Sequence, residues 1–148
     1  MASLDDLARA PSLGRYVRSG WARDDARARA AWVLAVEVSA TLMADVRFAS
    51  VFEAPGRAGR TSDNKTAIAR KLACYLAVIV ADCPVTCVAK ASGLNRKTVD
   101  GHLTAVEDWR EEEAWDAVIE AASRELVGMA AQVVFGALAL VHPGEVAA

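Results

Sequence analysis

Gly93 is the residue that most constrains how this chain can fold. It interrupts residues 84–103, PVTCVAKASGLNRKTVDGHL, between two segments that each read as helix. Glycine tolerates a left-handed backbone without a Cβ clash, so it ends the first helix with a sharp turn. On that helix Val85, Val88 and Ala89 face inward. Leu94 plugs the space beneath the turn. Asn95 is a good N-cap, because its side-chain oxygen can accept from a free backbone N–H of the next helix. Val99 and Leu103 lie four apart and hold the second helix to a core. Arg96, Lys97, Thr98 and Asp100 are left pointing outward near its start. This is the spacing of a helix-turn-helix, whose second helix enters the DNA major groove with its N-terminal side chains on base edges. The plainer alternative is a helical hairpin with a solvated, charged face.

Charge is distributed in a way that favours the first alternative. The formal net charge of −2 argues against a nucleic-acid binder taken alone. Residues 1–56, however, carry seven basic and seven acidic side chains, residues 57–110 nine and five, and residues 111–148 one and seven. The segment that holds the motif is therefore at +4, and the segment after it at −6. A basic face for DNA with an acidic module behind it fits these values.

The chain has 148 residues, 54% of them hydrophobic, enough for one domain with a real core. Residues 30–44 and 128–142 are apolar on nearly every face, interrupted by Glu37 and Gln132. Each falls short of the ~20 residues that a membrane span needs. Both read as buried or partner-binding helices, with attachment to a membrane surface as the alternative. The first ten residues, MASLDDLARA, carry two acids and no apolar core of a signal peptide. A cytoplasmic, nucleoid-associated protein with no membrane partner is expected.

Three cysteines, Cys74, Cys83 and Cys87, do not suggest a disulfide framework. Cys83 and Cys87 are four apart, but Pro84 lies between them, no CxxC pair occurs and His102 and His142 are distant in sequence. Buried thiols are expected instead, given their apolar neighbours. No Ser/His/Asp set, metal spacing or carboxylate pair stands out. Neither an enzyme nor a cofactor is expected.

In chain order, Ser3 caps a short helix over residues 4–10, and Tyr16, Val17 and Trp21 are available to dock on a core. A long helix is expected over residues 24–52, with Asp24 and Asp25 at its start and Arg23, Arg27 and Arg29 on a solvated face. Residues 54–65, APGRAGRTSDNK, form the clearest break, with Pro55, Gly56 and Gly59. They read either as a linker or as a basic arm whose Arg57 and Arg60 reach a minor groove. Ile68, Leu72, Tyr75, Leu76 and Ile79 form the stripe of the next helix, with Arg70 and Lys71 off it. Residues 82–84 end it. A last helix starts near Glu111 with the stripe Trp115, Val118, Ile119, Ala122 and Leu126. Beyond Gly128 the pattern is apolar all round, so residues 128–142 are expected to be buried under the long helix, in a homodimer or against a partner. No alternation is long enough to make a strand, and the fold class is all-α.

From Lys65 to about Leu126 the order of features resembles the C-terminal DNA-binding domain of the bacterial replication initiator DnaA. The resemblance lies in ARKLACYLA (69–77), SGLNRKTV (92–99) and EDWREE (107–112), and covers about 60 residues. In that family a basic loop takes the minor groove, an Arg-Gln pair touches phosphate, and an Asp-His-Thr-Thr signature reads the major groove. Here Arg70 and Lys71 fall at the pair, and Asn95, Arg96, Lys97 and Thr98 at the signature, with only Thr98 retained. The resemblance implies the docking mode, not the family's target sequence. No GxxxxGK[ST] occurs, so the AAA+ motor of an initiator is missing. A DnaA-like motif without that motor also resembles the activators of gene transfer agents in alphaproteobacteria and some phage regulators.

The resulting expectation is a helix-turn-helix fold with an added long N-terminal helix and an apolar C-terminal helix. Its divisions are 1–53, a basic loop 54–65, the DNA-binding unit 66–127, and the tail 128–148. Function is expected as sequence-specific binding of double-stranded DNA by a transcription regulator, an activator of phage-like or gene transfer agent genes, with the transcription machinery, a co-regulator or a second copy as protein partner. Asn95, Arg96, Lys97 and Thr98 are assigned to bases. Arg70, Lys71, Lys65 and Lys90 are assigned to phosphates, Arg57 and Arg60 to the minor groove, and His102 to a phosphate or the plain surface. The alternatives are an adaptor that binds proteins through residues 30–52 and 111–142, using the motif as a scaffold, and a DnaA-like replication regulator.

Overall fold

The computed structural model describes residues 23–43, 46–53 and 64–141, with side chains from Asp24 to Gln132 within those ranges. The expected helix over 4–10, the docking of Tyr16, Val17 and Trp21, and the basic arm with Arg57 and Arg60 lie outside the described residues. All the regular structure described is helical: α1 (Arg23–Leu42), α2 (Phe48–Phe52), α3 (Asn64–Tyr75) running into a π-turn (Leu76–Val80), α4 (Val85–Ser92), α5 (Arg96–Trp109) and α6 (Glu113–Val141). Among the described residues none is in a strand, and no helix is long and apolar enough to cross a membrane.

α1 is the centre of the core. Asp24 and Asp25 in its first turn complement the positive end of the helix dipole. From there to Thr41 only Arg29, Val33, Glu37 and Thr41, one narrow i,i+4 stripe, are exposed. Ala28, Ala31, Trp32, Ala35, Val36 and Val38 are buried on the remaining faces. The alanines let neighbours close in on several sides, and α1 packs against α2, α3, α4 and α6. The N-terminal helix is therefore not an addition to a separate motif. It shares one core with Leu72, Tyr75, Val88, Val99, Ile119 and Leu126. Each such large side chain contributes about 1.5–3 kcal/mol on burial.

Three local features differ from the helical periodicity. The long first helix does not run to Phe52. It ends at Leu42, and Arg47 is extended (φ −88°, ψ 141°) before α2 begins. No proline or glycine forces the break. Its gain is tertiary: the chain turns so that Val51 reaches the core and the carbonyls at the end of α2 come within reach of α3. Secondly, Ile79 is 51% exposed although it continues the α3 stripe. The Ala81 N–H donates to Leu76 O (2.9 Å) and the Cys83 N–H to Ala77 O (3.2 Å). This wider turn adds a residue and rotates Ile79 out of the phase set by Leu72 and Tyr75. Thirdly, Arg27 is not part of a solvated face. It is half-buried, and its guanidinium donates to the carbonyl of Asp82. Asp82 has φ 55°, an unusual value for a non-glycine residue, and the bond from α1 holds that corner.

The junction between α5 and α6 is fixed by Arg110. Its Nε donates to Asp116 Oδ1 (2.6 Å), its Nη1 to the Tyr75 hydroxyl (2.8 Å) and its Nη2 to Glu120. One guanidinium thus ties α3 to the start of α6, and these partners hold its charge even more firmly than usual. α6 then runs unbroken through Gly128 to Val141, so the compositional change at 128 is not a structural break.

Candidate nucleic-acid interface

The turn between α4 and α5 is fixed by local bonds that the sequence prescribes. Gly93 has φ 75°, and its N–H donates to Ala89 O (3.0 Å). Buried Ser92 accepts from the Leu94 N–H (3.3 Å) through its hydroxyl, which also donates to Ala89 O (3.3 Å). Asn95 is extended, and its Oδ1 accepts from the Thr98 N–H at 2.7 Å. Such a cap contributes about 1 kcal/mol. Val88 from α4, and Val99 and Val106 from α5, are completely buried, while Leu94 and Leu103 pack on the edge of the core. The first turn of α5 is held at both its cap and its underside.

Arg96 and Lys97 are exposed on that first turn, with Asp100, Gly101 and Thr104 following on the same face. Asn95 caps α5 as expected, but Thr98 does not point fully outward. The Asn95 oxygen is used by the cap, which leaves only its amide N–H groups for a ligand, and Thr98 is half-buried. The two together fix the helix start rather than offer a bidentate reading group. α5 is also polar along its length. Its start carries Arg96 and Lys97, whereas Glu107, Asp108 and, just beyond, Glu111, Glu112 and Glu113 are exposed at the far end.

Arg70 does not lie on an outer surface. It is 6% exposed, and its Nη2 donates to the carbonyls of Ser50 (2.7 Å) and Glu53 (3.4 Å). These carbonyls close α2, where the helix leaves acceptors unsatisfied and a cation is favoured. The assignment to phosphate on sequence position is therefore corrected: Arg70 clips α2 to α3. Burial lowers its pKa from the ordinary arginine value.

The other expected cations are dispersed. Lys71 is half-buried, with its ammonium 6.0 Å from the centre of the Trp109 ring, a cation–π distance. Trp109 in turn lies 5.0 Å from Trp115, tilted by 32°. His102 is half-buried on the same seam between α3 and α5; burial first, then the charges of Lys71 and Arg70, holds its imidazole below the ordinary value. The lowering favours the neutral imidazole, a weaker phosphate ligand than a cation. Lys90 is exposed but lies 3.6 Å from Asp25 of α1, a surface pair of small energetic weight. Lys65 is exposed in the first turn of α3, where residues 54–63 join it.

Sequence patterning missed the Lys71–Trp109–Trp115 stack and the Arg110 network. The only signal for them was an aromatic residue on each side of an acidic turn. Of the thiols, Cys74 and Cys83 are buried, and loss of solvation pushes their pKa values up to about 12 and about 11. Such thiols are poor nucleophiles and poor ligands at neutral pH. Among the described residues no group of three or more His, Cys, Asp or Glu side chains is placed to hold a metal ion. No family model, no curated protein and no solved structure matches the chain.

Proposed function

We propose that this chain is a sequence-specific double-stranded DNA-binding protein, acting as a transcription regulator, with α4 and α5 as a helix-turn-helix. The observation that carries the proposal is the first turn of α5: capped, rigidly supported, exposed, and bearing Arg96 and Lys97 beside free-end backbone N–H groups. An arginine there suits guanine, whose O6 and N7 accept a bidentate contact, and a lysine can donate to the same edge. Lys71, at the side of α5, and Lys65, beside the basic residues 54–63, supply phosphate contacts. Arg57 and Arg60 serve the minor groove, as the DnaA resemblance implies. With no GxxxxGK[ST] in the sequence, regulation of transcription fits better than initiation of replication, and phage-like or gene transfer agent genes are the class of target suggested by the second resemblance.

Retention on labelled random-sequence duplexes, followed by anisotropy over a salt series, tests this. Binding should weaken linearly in log–log form as salt rises, by about 0.9 for each phosphate neutralised. Arg96→Ala should lower affinity for an enriched site by about 10-fold or more while leaving non-specific binding nearly intact. Absence of any salt-dependent retention would sink the proposal. A second reading, an adaptor for a protein partner, is favoured by one observation: Val118 and Val127 are exposed on α6, ahead of an apolar sequence up to Val141. It predicts that the Arg96→Ala variant retains all of its activity.

A further inference from the structure

Gly101 is an unexplained glycine. It sits in the interior of α5, where glycine is less favourable than alanine by about 1 kcal/mol. Its backbone is helical, so no left-handed conformation requires it. A Cβ built at this position meets nothing within 4 Å, so no packing within the fold requires it either. The residue is exposed, one turn beyond Lys97 and next to exposed Asp100, which lies one turn beyond Arg96. Gly128 in α6 is equally open, with exposed Arg124 and Glu125 one turn before it, but it lies outside the pair of helices proposed to bind DNA. What remains for Gly101 is the other use of glycine: letting a backbone come close to a ligand.

We propose that Gly101 and Asp100 form a second base-reading element of α5, in which Gly101 is the point where the helix backbone meets base-pair edges and Asp100 accepts a hydrogen bond from the amino group of cytosine. This rests on the DNA-binding function proposed above. An ionised carboxylate is acceptor only. In the major groove cytosine presents a donor at N4, whereas guanine presents two acceptors that would repel the carboxylate. Asp100 thus selects by attraction and by exclusion. Four residues advance the helix by about 6 Å, against about 3.4 Å between successive bases on a strand. The cytosine lies within about two base pairs of the guanine read by Arg96. Thr104, one further turn on, donates its hydroxyl proton back to Asp100 O (3.2 Å), which occupies its donor. Beyond it Glu107 and Asp108 oppose the phosphates and limit the contact to the first two to three turns of the helix.

The test is selection from a randomised duplex library with the full chain, its Gly101→Ala variant and its Asp100→Asn variant, with thermal denaturation of each. Gly101→Ala should melt no lower than the parent and bind the parent's enriched site about 10-fold more weakly, because the added methyl enters the contact. Asp100→Asn should enrich the same site with the cytosine preference lost at one position, a change of about 10-fold in discrimination, the usual weight of one base pair. If the parent enriches a site and either variant reads and binds it as the parent does, the proposal is overturned while the DNA-binding function stands. If the parent enriches no sequence, both fall.

Discussion

Replacing Arg70 by alanine distinguishes a phosphate ligand from a structural clip. The substitution removes the guanidinium that donates to the Ser50 and Glu53 carbonyls and leaves those acceptors at the closed end of α2 without that donor. A hydrogen bond from a charged group contributes about 1.5–3 kcal/mol net. The 3.4 Å bond adds little, and release of the buried charge to water recovers part of the loss. Truncation also removes the packing of the aliphatic stem. A destabilisation of about 2–3 kcal/mol follows from these values, a lowering of the melting midpoint by roughly 5–10 °C for a domain of this size. Urea unfolding monitored by tryptophan fluorescence measures it. Arg70→Lys should recover only part, because an ammonium is more strongly hydrated than a guanidinium and costs more to bury. The DNA salt slope of folded Arg70→Ala should equal that of the parent. An unchanged urea midpoint with a salt slope reduced by about one would refute the reasoning and return Arg70 to the phosphates.

Asn95→Ala removes the cap on the Thr98 N–H and should lower stability by about 1 kcal/mol in the same urea assay, and a glycine there should lose less. His102 gives a pH dependence. Its folded pKa lies below the ordinary value near 6.5, so the unfolded chain takes up the proton first. Stability is complete above that ordinary value and declines as pH falls through it towards the folded value. Urea midpoints measured from pH 8 to pH 5 should therefore fall less steeply for His102→Gln than for the parent; parallel curves would show that the half-buried imidazole is not responsible.

The helical class, the end of α4, the start of α5 and the break at 82–84 were legible in the sequence because local terms decide them. A glycine at the end of a helix, an asparagine before the next, and an apolar repeat at three and four residues act over a single turn of chain. Gly93, Asn95 and Val99 could be assigned from their neighbours alone. So could the exposed tip with Arg96 and Lys97, since it is what remains when the inward positions are filled.

The positions that sequence misjudged were decided by groups far along the chain. Arg70 and Lys71 are adjacent, and nothing local separates them; Arg70 is buried because α2, 17 and 20 residues earlier at its bonded carbonyls, presents acceptors that favour a cation. Arg27 is drawn from solvent by a carbonyl 55 residues away. The first helix stops at Leu42, without a breaker, because turning there lets Val51 join the core. Ile79 leaves its stripe because the π-turn adds a residue to that turn. Composition and periodicity determined which segments are helices and which side chains stand at the start of α5. Only the tertiary structure decided which of the cations remain available to a ligand, because the burial of a charge depends on the partners that the fold delivers to it.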